Sequence, residues 1–443
     1  MRVRAAANDD SMKRVSIAAV VLYLLLVPQQ FNFDVAGILM SPYRVALLVL
    51  SIYIASSALK SKVRFAWPDL LVVLAIAWIT LASYVTSQSL ADTLVQGGSH
   101  LVDIGLAYFL ARTTIQTPDD LRKFLILVAP GIIFTGVIVA AEAISHRPII
   151  HPLASALTGK FGGPGRWDVR MGFMRGVASL PHPILTGIFL ASFLPLYMFA
   201  GLRGWPKAFS LIASLLGAFT MSSAAMLGLV VGALLCGYNW LVERVANLTW
   251  KQFVGAITML YIMVESSSNS GFYNLLVRYA SLNSVSAYNR VLIWKYGSQN
   301  VADNPWFGIG YANWDRPDWM HSDSFDWFWL ILALRFGIPV AILALGATLM
   351  GVVAVALRSS RMPPRDRRLL IGVAISVAVF ALGLNSVSLW MASLAWFFML
   401  LGLTVTLGFQ AAPAPVPMRP MPVPAPMPGQ DRLGTHSRPS IAR

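Results

Sequence analysis

The feature that most constrains this chain is a succession of apolar blocks, most of them about 16 to 25 residues long, separated by short polar or basic connections. A helix of that length covers the roughly 30 Å of hydrocarbon in a bilayer, and a helix satisfies its own backbone groups where no water can. Composition enters only to exclude the alternative of a soluble core. With 57% of 443 residues hydrophobic, 12% charged and a mean hydropathy of +0.65, the chain holds more apolar side chains than one soluble interior buries. The strand-length alternation of an outer-membrane barrel is absent. The expectation is an all-α polytopic membrane protein.

About twelve spans are expected, near 15–27, 44–59, 68–86, 94–112, 121–144, 182–201, 207–223, 224–241, 251–266, 327–357, 367–386 and 389–409. The first is short and follows Lys13 and Arg14, a pattern shared with signal peptides, but no small-residue cleavage site follows it and it is read as a span. Lys and Arg collect in alternate connections: Lys60, Lys62 and Arg64; Arg112, Arg122 and Lys123; Arg203 and Lys207; Arg244 and Lys251; Arg358, Arg361, Arg365, Arg367 and Arg368. Basic connections stay cytoplasmic, so both termini are expected inside. The tail, residues 411–443, is Pro-rich and basic with no apolar face, and reads as a solvated segment, with a docking role for a cytoplasmic partner as the other reading. The single cysteine, Cys236, permits no disulfide within the chain.

Two expected outer connections are long, about 145–181 and about 267–326, and loops of that size carry function or cap the bundle. Both break the charge rule. They hold Arg147, Lys160, Arg166, Arg170, Arg175, Arg278, Arg290, Lys295 and Arg316 on the face where cations are scarce, and such cations ask for an anion. In "KFGGPGRWDVRMGFMRGVASLPHP", Gly162, Gly163 and Gly165 permit close backbone approach and Arg166, Arg170 and Arg175 offer planar forks suited to phosphate or carboxylate. The plainer reading has these arginines pairing with Asp168 or with lipid headgroups. Aromatics crowd the second loop: Trp306, Phe307, Tyr311, Trp314, Trp319, Trp327 and Trp329. An interface belt accounts for most of them, and a platform for sugar rings is the alternative. His100 and Asp103, one turn apart inside a span, read as a pair and stay outside the catalytic set.

The order Arg290-x-x-x-Trp294, then "NPWFGIGY" (Asn304 to Tyr311), then His321-Ser322 followed by "RFGIP", resembles the O-antigen ligase and Wzy polymerase superfamily. "RGVASLPHPILTGIFLASFLP", Arg175 to Pro195, resembles that family's preceding segment, and the likeness spans about 170–345. The family commonly has an acidic residue where Arg335 stands. The resemblance implies a GT-C-like fold with two long periplasmic loops, divided into N-terminal helices (1–144), an O-antigen ligase-related region (145–345), C-terminal helices (346–410) and the tail (411–443). It implies a metal-independent glycosyltransferase of the bacterial inner membrane that takes a glycan from undecaprenyl pyrophosphate at the periplasmic face and needs no cofactor. The catalytic set is then His321, Arg290 and Arg175. Arg170, Arg166, Arg278 and Lys295 are the substrate-binding set. Arginines would neutralise the departing pyrophosphate and His321 would take the acceptor proton, whereas His182, between two prolines, reads as structural.

Expected partners are the lipid-linked oligosaccharide, membrane lipids, a chain-length regulator and other polysaccharide-assembly proteins, with no nucleic acid. Within this class an exopolysaccharide or O-antigen polymerase is favoured over a ligase acting on lipid A core. A flippase of the same glycans is the rival from another class, but it calls for cations deep in a central cavity and an internal repeat, and neither is visible.

Overall fold

A computed structural model of the chain describes residues 2–35, 37–60, 64–163, 167–268, 284–320 and 324–409. Arg166, Arg278 and His321 lie outside them, as does the Pro-rich tail. The described chain is helical apart from two short hairpins. In order come α1 (Arg2–Leu25), the hairpin β1 (Phe33–Val35) and β2 (Ile38–Met40), α2 (Pro42–Val49), α3 (Ser51–Lys60), α4 (Trp67–Ser87), α5 (Leu90–His100), a π turn (Leu101–Leu106) and α6 (Ala107–Thr114). Next are α7 (Pro118–Ser145), α8 (Ile150–Thr158), the hairpin β3 (Val169–Arg170) and β4 (Phe173–Met174), α9 (Pro183–Phe199), α10 (Trp205–Leu216), α11 (Ser223–Val242) and α12 (Trp250–Ser267). The described part closes with α13 (Ser284–Asp303), α14 (Phe328–Phe336), α15 (Ile338–Ser359), α16 (Pro364–Gly383) and α17 (Ala392–Phe409).

Five of these helices, α4, α7, α11, α15 and α17, are long and apolar enough on their own to cross a membrane, which makes this a membrane protein with an all-α bundle. Other apolar blocks are broken. The segment near 94–112 is interrupted by the π turn, and the block 327–357 splits at Gly337, where φ is +88° and Pro339 opens the next helix. Helix starts are written in side chains. Thr117 and Asp120 cap α7 reciprocally, Thr249 and Gln252 do the same for α12, and Ser89 caps α5. In the interior α9 packs on α10, α11 and α16, and α17 lies between α6 and α15.

Buried ion pairs stand at both ends of the bundle, Arg44 with Asp103 at the end that carries the β1–β2 hairpin and a larger set at the other. At the latter, Arg112 clasps Asp69 through two bonds of 2.7 and 2.5 Å, Arg122 pairs with Asp119 and Asp366, and Arg368 with Glu243 at 2.7 Å. The connections at residues 64–66, 113–117, 200–204, 243–249 and 359–363 lie there. At the hairpin end gather residues 28–35, 37–41, 146–163, 167–182, 217–222, 304–320, 324–327 and 384–391. Gln30 bonds the His151 carbonyl at 3.0 Å, Gly176 N donates to Phe219 O at 3.2 Å, and Phe328 N to Leu384 O at 2.9 Å.

Candidate functional site

The loop after α7 is pinned by one buried carboxylate. Glu142, with no solvent exposure, accepts from the N–H groups of Ile149 at 2.9 Å, Val177 at 2.9 Å and Ala178 at 2.8 Å. Between these anchors β3 and β4 form a hairpin whose two central residues, Met171 and Gly172, have φ of +51° and +81°, the torsions of a type I′ turn. Its ladder is extended by Arg175 N donating to Asp168 O at 3.0 Å. Directly after Arg175 the chain presses on α7: a Cβ at Gly176 would sit 2.3 Å from Val139 O. Arg170 and Arg175 are thus held on a short rigid ribbon.

The ribbon aims both arginines at the break between α10 and α11. Arg175 Nε donates to Thr220 O at 3.3 Å and Arg170 Nη1 to Met221 O at 3.4 Å. Arg290, on α13, donates to Ser386 O at 3.5 Å from the connection between α16 and α17. Arg175 and Arg290 are both buried, at 6% and 7% exposure. Arg175 has one carboxylate within ion-pair distance among the described residues, Asp168 at 3.7 Å, and its Nη2 is buried without a hydrogen bond there. Burial, then repulsion from Arg170 and from Arg290, lowers the Arg175 guanidinium pKa to about 10, so three of the expected arginines act on one another.

Two further groups share this field. His182 caps α9 by accepting from Ile184 N at 3.2 Å, and burial, then Arg175 and Arg170, pull its imidazole pKa down to about 4. It is neutral at physiological pH, with its proton on Nε2. Asp326 is pushed up by burial, against a hydrogen bond from Ser324 and the pull of Arg290 and Arg175. Asp326 was not singled out from the sequence. Its only signal there is an acidic residue in an aromatic-rich loop. Glu142 was missed too, since nothing local marks a carboxylate at a helix end as the anchor of a loop 35 residues on.

Other expected residues are placed elsewhere. Lys295, five residues past Arg290 and so roughly 140° around the helix, is exposed with its ammonium over the Tyr296 ring at 5.2 Å. Gly162 and Gly163 do permit close approach, but to the protein itself: Cβ atoms there would lie 2.6 Å from the Gln30 side chain and 3.0 Å from the His151 ring. Asp103 pairs with Arg44 rather than with His100, through bonds of 2.9 and 2.5 Å, and also accepts from Tyr43 at 2.8 Å. Among the described residues no group of three or more His, Cys, Asp or Glu side chains is placed to hold a metal.

The "NPWFGIGY" segment clasps the helix break. Ile309 N and Gly310 N donate to the Leu334 and Arg335 carbonyls at 2.8 and 3.0 Å, satisfying the last turn of α14, and Ile338 N donates to Pro305 O at 2.8 Å. A Cβ at Gly337 would stand 1.8 Å from Trp306 O. Asn300 closes the segment by exchanging two bonds of 2.8 Å with the backbone of Asp315. Trp314 and Trp327 join Leu292, Ile293 and Phe325 in a small core of their own, whereas Trp306 and Trp319 are exposed. In its described residues, 284–320 and 324–326, the second loop is a folded cap carrying Arg290.

No curated protein matches the chain. Residues 208–345, from α10 through the break at Gly337 into α15, match the family model described as O-Antigen ligase, a span that includes Arg290, Lys295 and Asp326 and stops short of Arg170 and Arg175. By that match, the region of this membrane protein that carries Arg290 and the clasp belongs to the O-antigen ligase and Wzy superfamily.

Proposed function

We propose that the chain is a glycosyltransferase of the bacterial inner membrane that passes a glycan from undecaprenyl pyrophosphate to a sugar hydroxyl at the periplasmic face, as an exopolysaccharide or O-antigen polymerase. The observation that carries this reading is the burial of Arg175 and Arg290, offered from two separate loops, with Arg175 in the field of both Arg170 and Arg290. Buried guanidinium groups gathered at one point repel, and a pyrophosphate relieves that repulsion while using their bidentate geometry. Beside them an apolar groove of about 550 Å³ runs past Trp294, Trp327, Trp329 and Leu382, one helical turn from Arg290, where a polyprenyl chain would lie.

In the reaction the acceptor oxygen bonds to the anomeric carbon as the bond from that carbon to the phosphate oxygen breaks. The electron pair leaves on the pyrophosphate, and the acceptor proton passes to a protein base. Arg175 and Arg290 strengthen their bonds as charge builds on the departing oxygen, with Arg170 in support. His321 is the base that the family resemblance implies. Asp326 is a second one: its raised pKa beside Arg290 and Arg175 suits a group that must accept a proton in a cationic site. Arginine takes the part that a divalent cation plays elsewhere, and transfer is expected to persist in EDTA.

The family description favours one second reading, a ligase that moves the finished glycan to lipid A core. A deletion strain separates the two: short polymer with core attachment retained marks a polymerase, and full-length unattached polymer marks a ligase. Topology tests the premise. In the twelve-span arrangement, reporters after Arg64, Lys123 and Arg361 are cytoplasmic and those at Gly163 and Asn304 periplasmic. A cytoplasmic Asn304 overturns the reading.

A further inference from the structure

A second cavity, of about 520 Å³, opens at the same end of the bundle, bounded by the β1–β2 hairpin, α5 and its π turn, α14 and the connection 388–391. That volume is within the range of pockets for small ligands. It adjoins the arginine cluster: Trp390 on its wall meets the His182 ring at 6.2 Å, and His182 lies in the field of Arg175 and Arg170. Two cations line it, and they are held differently. Arg44 is committed to Asp103 through two bonds, with Tyr43 on the same carboxylate, so that group is close to neutral overall.

Arg335 has no such partner. Its guanidinium lies over the Tyr311 ring at 4.3 Å and gives Nη1–H to Gly310 O at 3.3 Å, and among the described residues no carboxylate pairs with it. Arg335 is also half-buried, so water replaces that missing partner only in part. A carbonyl and a ring face orient the fork without cancelling its charge. On the same cavity wall Trp390, partly exposed, offers a flat surface for the C–H face of a pyranose, and Gln96 and Ser99 supply hydroxyl partners.

We propose that this cavity binds an acidic sugar of the glycan, with the sugar carboxylate on Arg335. The proposal rests on the glycosyl-transfer reading above and adds to it the charge of the repeat unit. A phosphate group offers Arg335 the same charge-assisted bonds, so the test must tell an acidic sugar from a bare anion.

Purified full-length protein in detergent is titrated with methyl β-glucuronide, methyl β-glucoside and inorganic phosphate, and binding is followed by saturation-transfer NMR and by fluorescence of the cavity tryptophan. The glucuronide is expected to bind at least about tenfold more tightly than the glucoside, as a charge-assisted pair to a guanidinium requires. Phosphate is expected to compete weakly. Arg335→Gln should erase the preference and Arg335→Lys should restore part of it. Equal binding of the two glycosides, or no binding of either, overturns the proposal, as does a preference that survives in Arg335→Gln. Phosphate that competes as well as the glucuronide overturns it in favour of a plain anion site. The preference in wild-type protein needs no variant, so a poorly folding Arg335→Gln leaves the proposal exposed to refutation. Because binding is read without turnover, loss of the preference in a protein that transfers glycan sinks this inference alone. A preserved preference in a protein without transfer activity sinks the reading it rests on.

Discussion

Glu142→Gln isolates what holds the arginine ribbon in place. The two carboxylate oxygens are used separately: Oε1 serves Ile149 and, at 3.5 Å, Ile150, while Oε2 serves Val177 and Ala178. Glutamine keeps size and shape but has one acceptor oxygen, so whichever way it turns, its NH2 faces backbone N–H groups. If the oxygen stays with Ile149, the Val177 and Ala178 donors are orphaned in a fully buried setting. Each bond to a charged acceptor contributes about 1.5–3 kcal/mol, so that orientation costs about 3 kcal/mol or more, while the opposite one orphans Ile149 and costs about 1.5–3 kcal/mol. That energy is local, because it belongs to the loop and not to the α7 interior.

Hydrogen exchange in detergent reads it directly. Amide exchange at the orphaned donors, Ile149 or the pair Val177 and Ala178, should speed up by about tenfold to a hundredfold, since each factor of ten corresponds to about 1.4 kcal/mol, while α4 and α17 keep their protection. Transfer should fall by about a hundredfold as Arg175 loses its position, with pyrophosphate-linked donor binding weakened in step. Unchanged exchange at Ile149, Val177 and Ala178 alike would refute the anchoring argument. Faster exchange with full activity would refute the claim that Arg175 needs that anchor.

Three more outcomes follow from the same geometry. Arg290→Lys keeps the charge but loses the fork, and should cost at least about tenfold in transfer rate, with Arg290→Ala costing more, measured at matched amounts of folded protein. His182 takes its proton only near pH 4 when folded, against about 6.5 unfolded, so between those values the unfolded chain binds more protons and stability falls as pH is lowered, levelling off below about 4. His182→Asn keeps an acceptor for Ile184 N, and melting curves from pH 7 to 4 should show a shallower decline, the difference approaching about 3 kcal/mol. Gly337→Ala places a methyl group on Trp306 O at a φ of +88°, and should cut the yield of monodisperse protein in size-exclusion chromatography sharply, while Gly346→Ala, with 3.4 Å to its nearest neighbour, should not.

Much of the helical frame was legible because block length, capping side chains and proline positions are local properties, as at Thr117, Pro118 and Asp120. Arg175 and Arg290 drew attention for a different reason: in the twelve-span reading they fall on the side where cations are scarce, and the structure buries both. The long-range pairings were not. Arg44 finds Asp103 across 59 residues and Arg112 finds Asp69 across 43, and no periodicity encodes which of several buried carboxylates a guanidinium will meet. The glycines misled for a related reason. Their sequence signals close approach without naming the partner, and at Gly162 and Gly163 the partners are Gln30 and His151.

The contrast between the two ends of the bundle ties these observations to chemistry. Arg112, Arg122 and Arg368 meet carboxylates at 2.5 to 2.7 Å, which cancels their charge and locks α4, α6, α7, α11 and α16 together. At the opposite end Arg44 is paired in the same way with Asp103 at 2.5 Å, but the anchors of Arg170 and Arg175 are the backbone carbonyls of Met221 and Thr220, and the Asp168 carboxylate stays 3.7 Å from Arg175. A carbonyl dipole fixes the direction of a guanidinium without removing its unit charge. An enzyme that must hold an anion more tightly as it leaves needs that combination, since a carboxylate at bonding distance would compete with the leaving group throughout the reaction. Moving a carboxylate into contact should therefore silence the site while stabilising the fold. Asp168→Glu, one methylene longer from a carboxylate that now stands 3.7 Å from Arg175, is expected to raise the melting temperature and abolish transfer together, and a variant that gained stability with activity intact would show that Arg175 is structural.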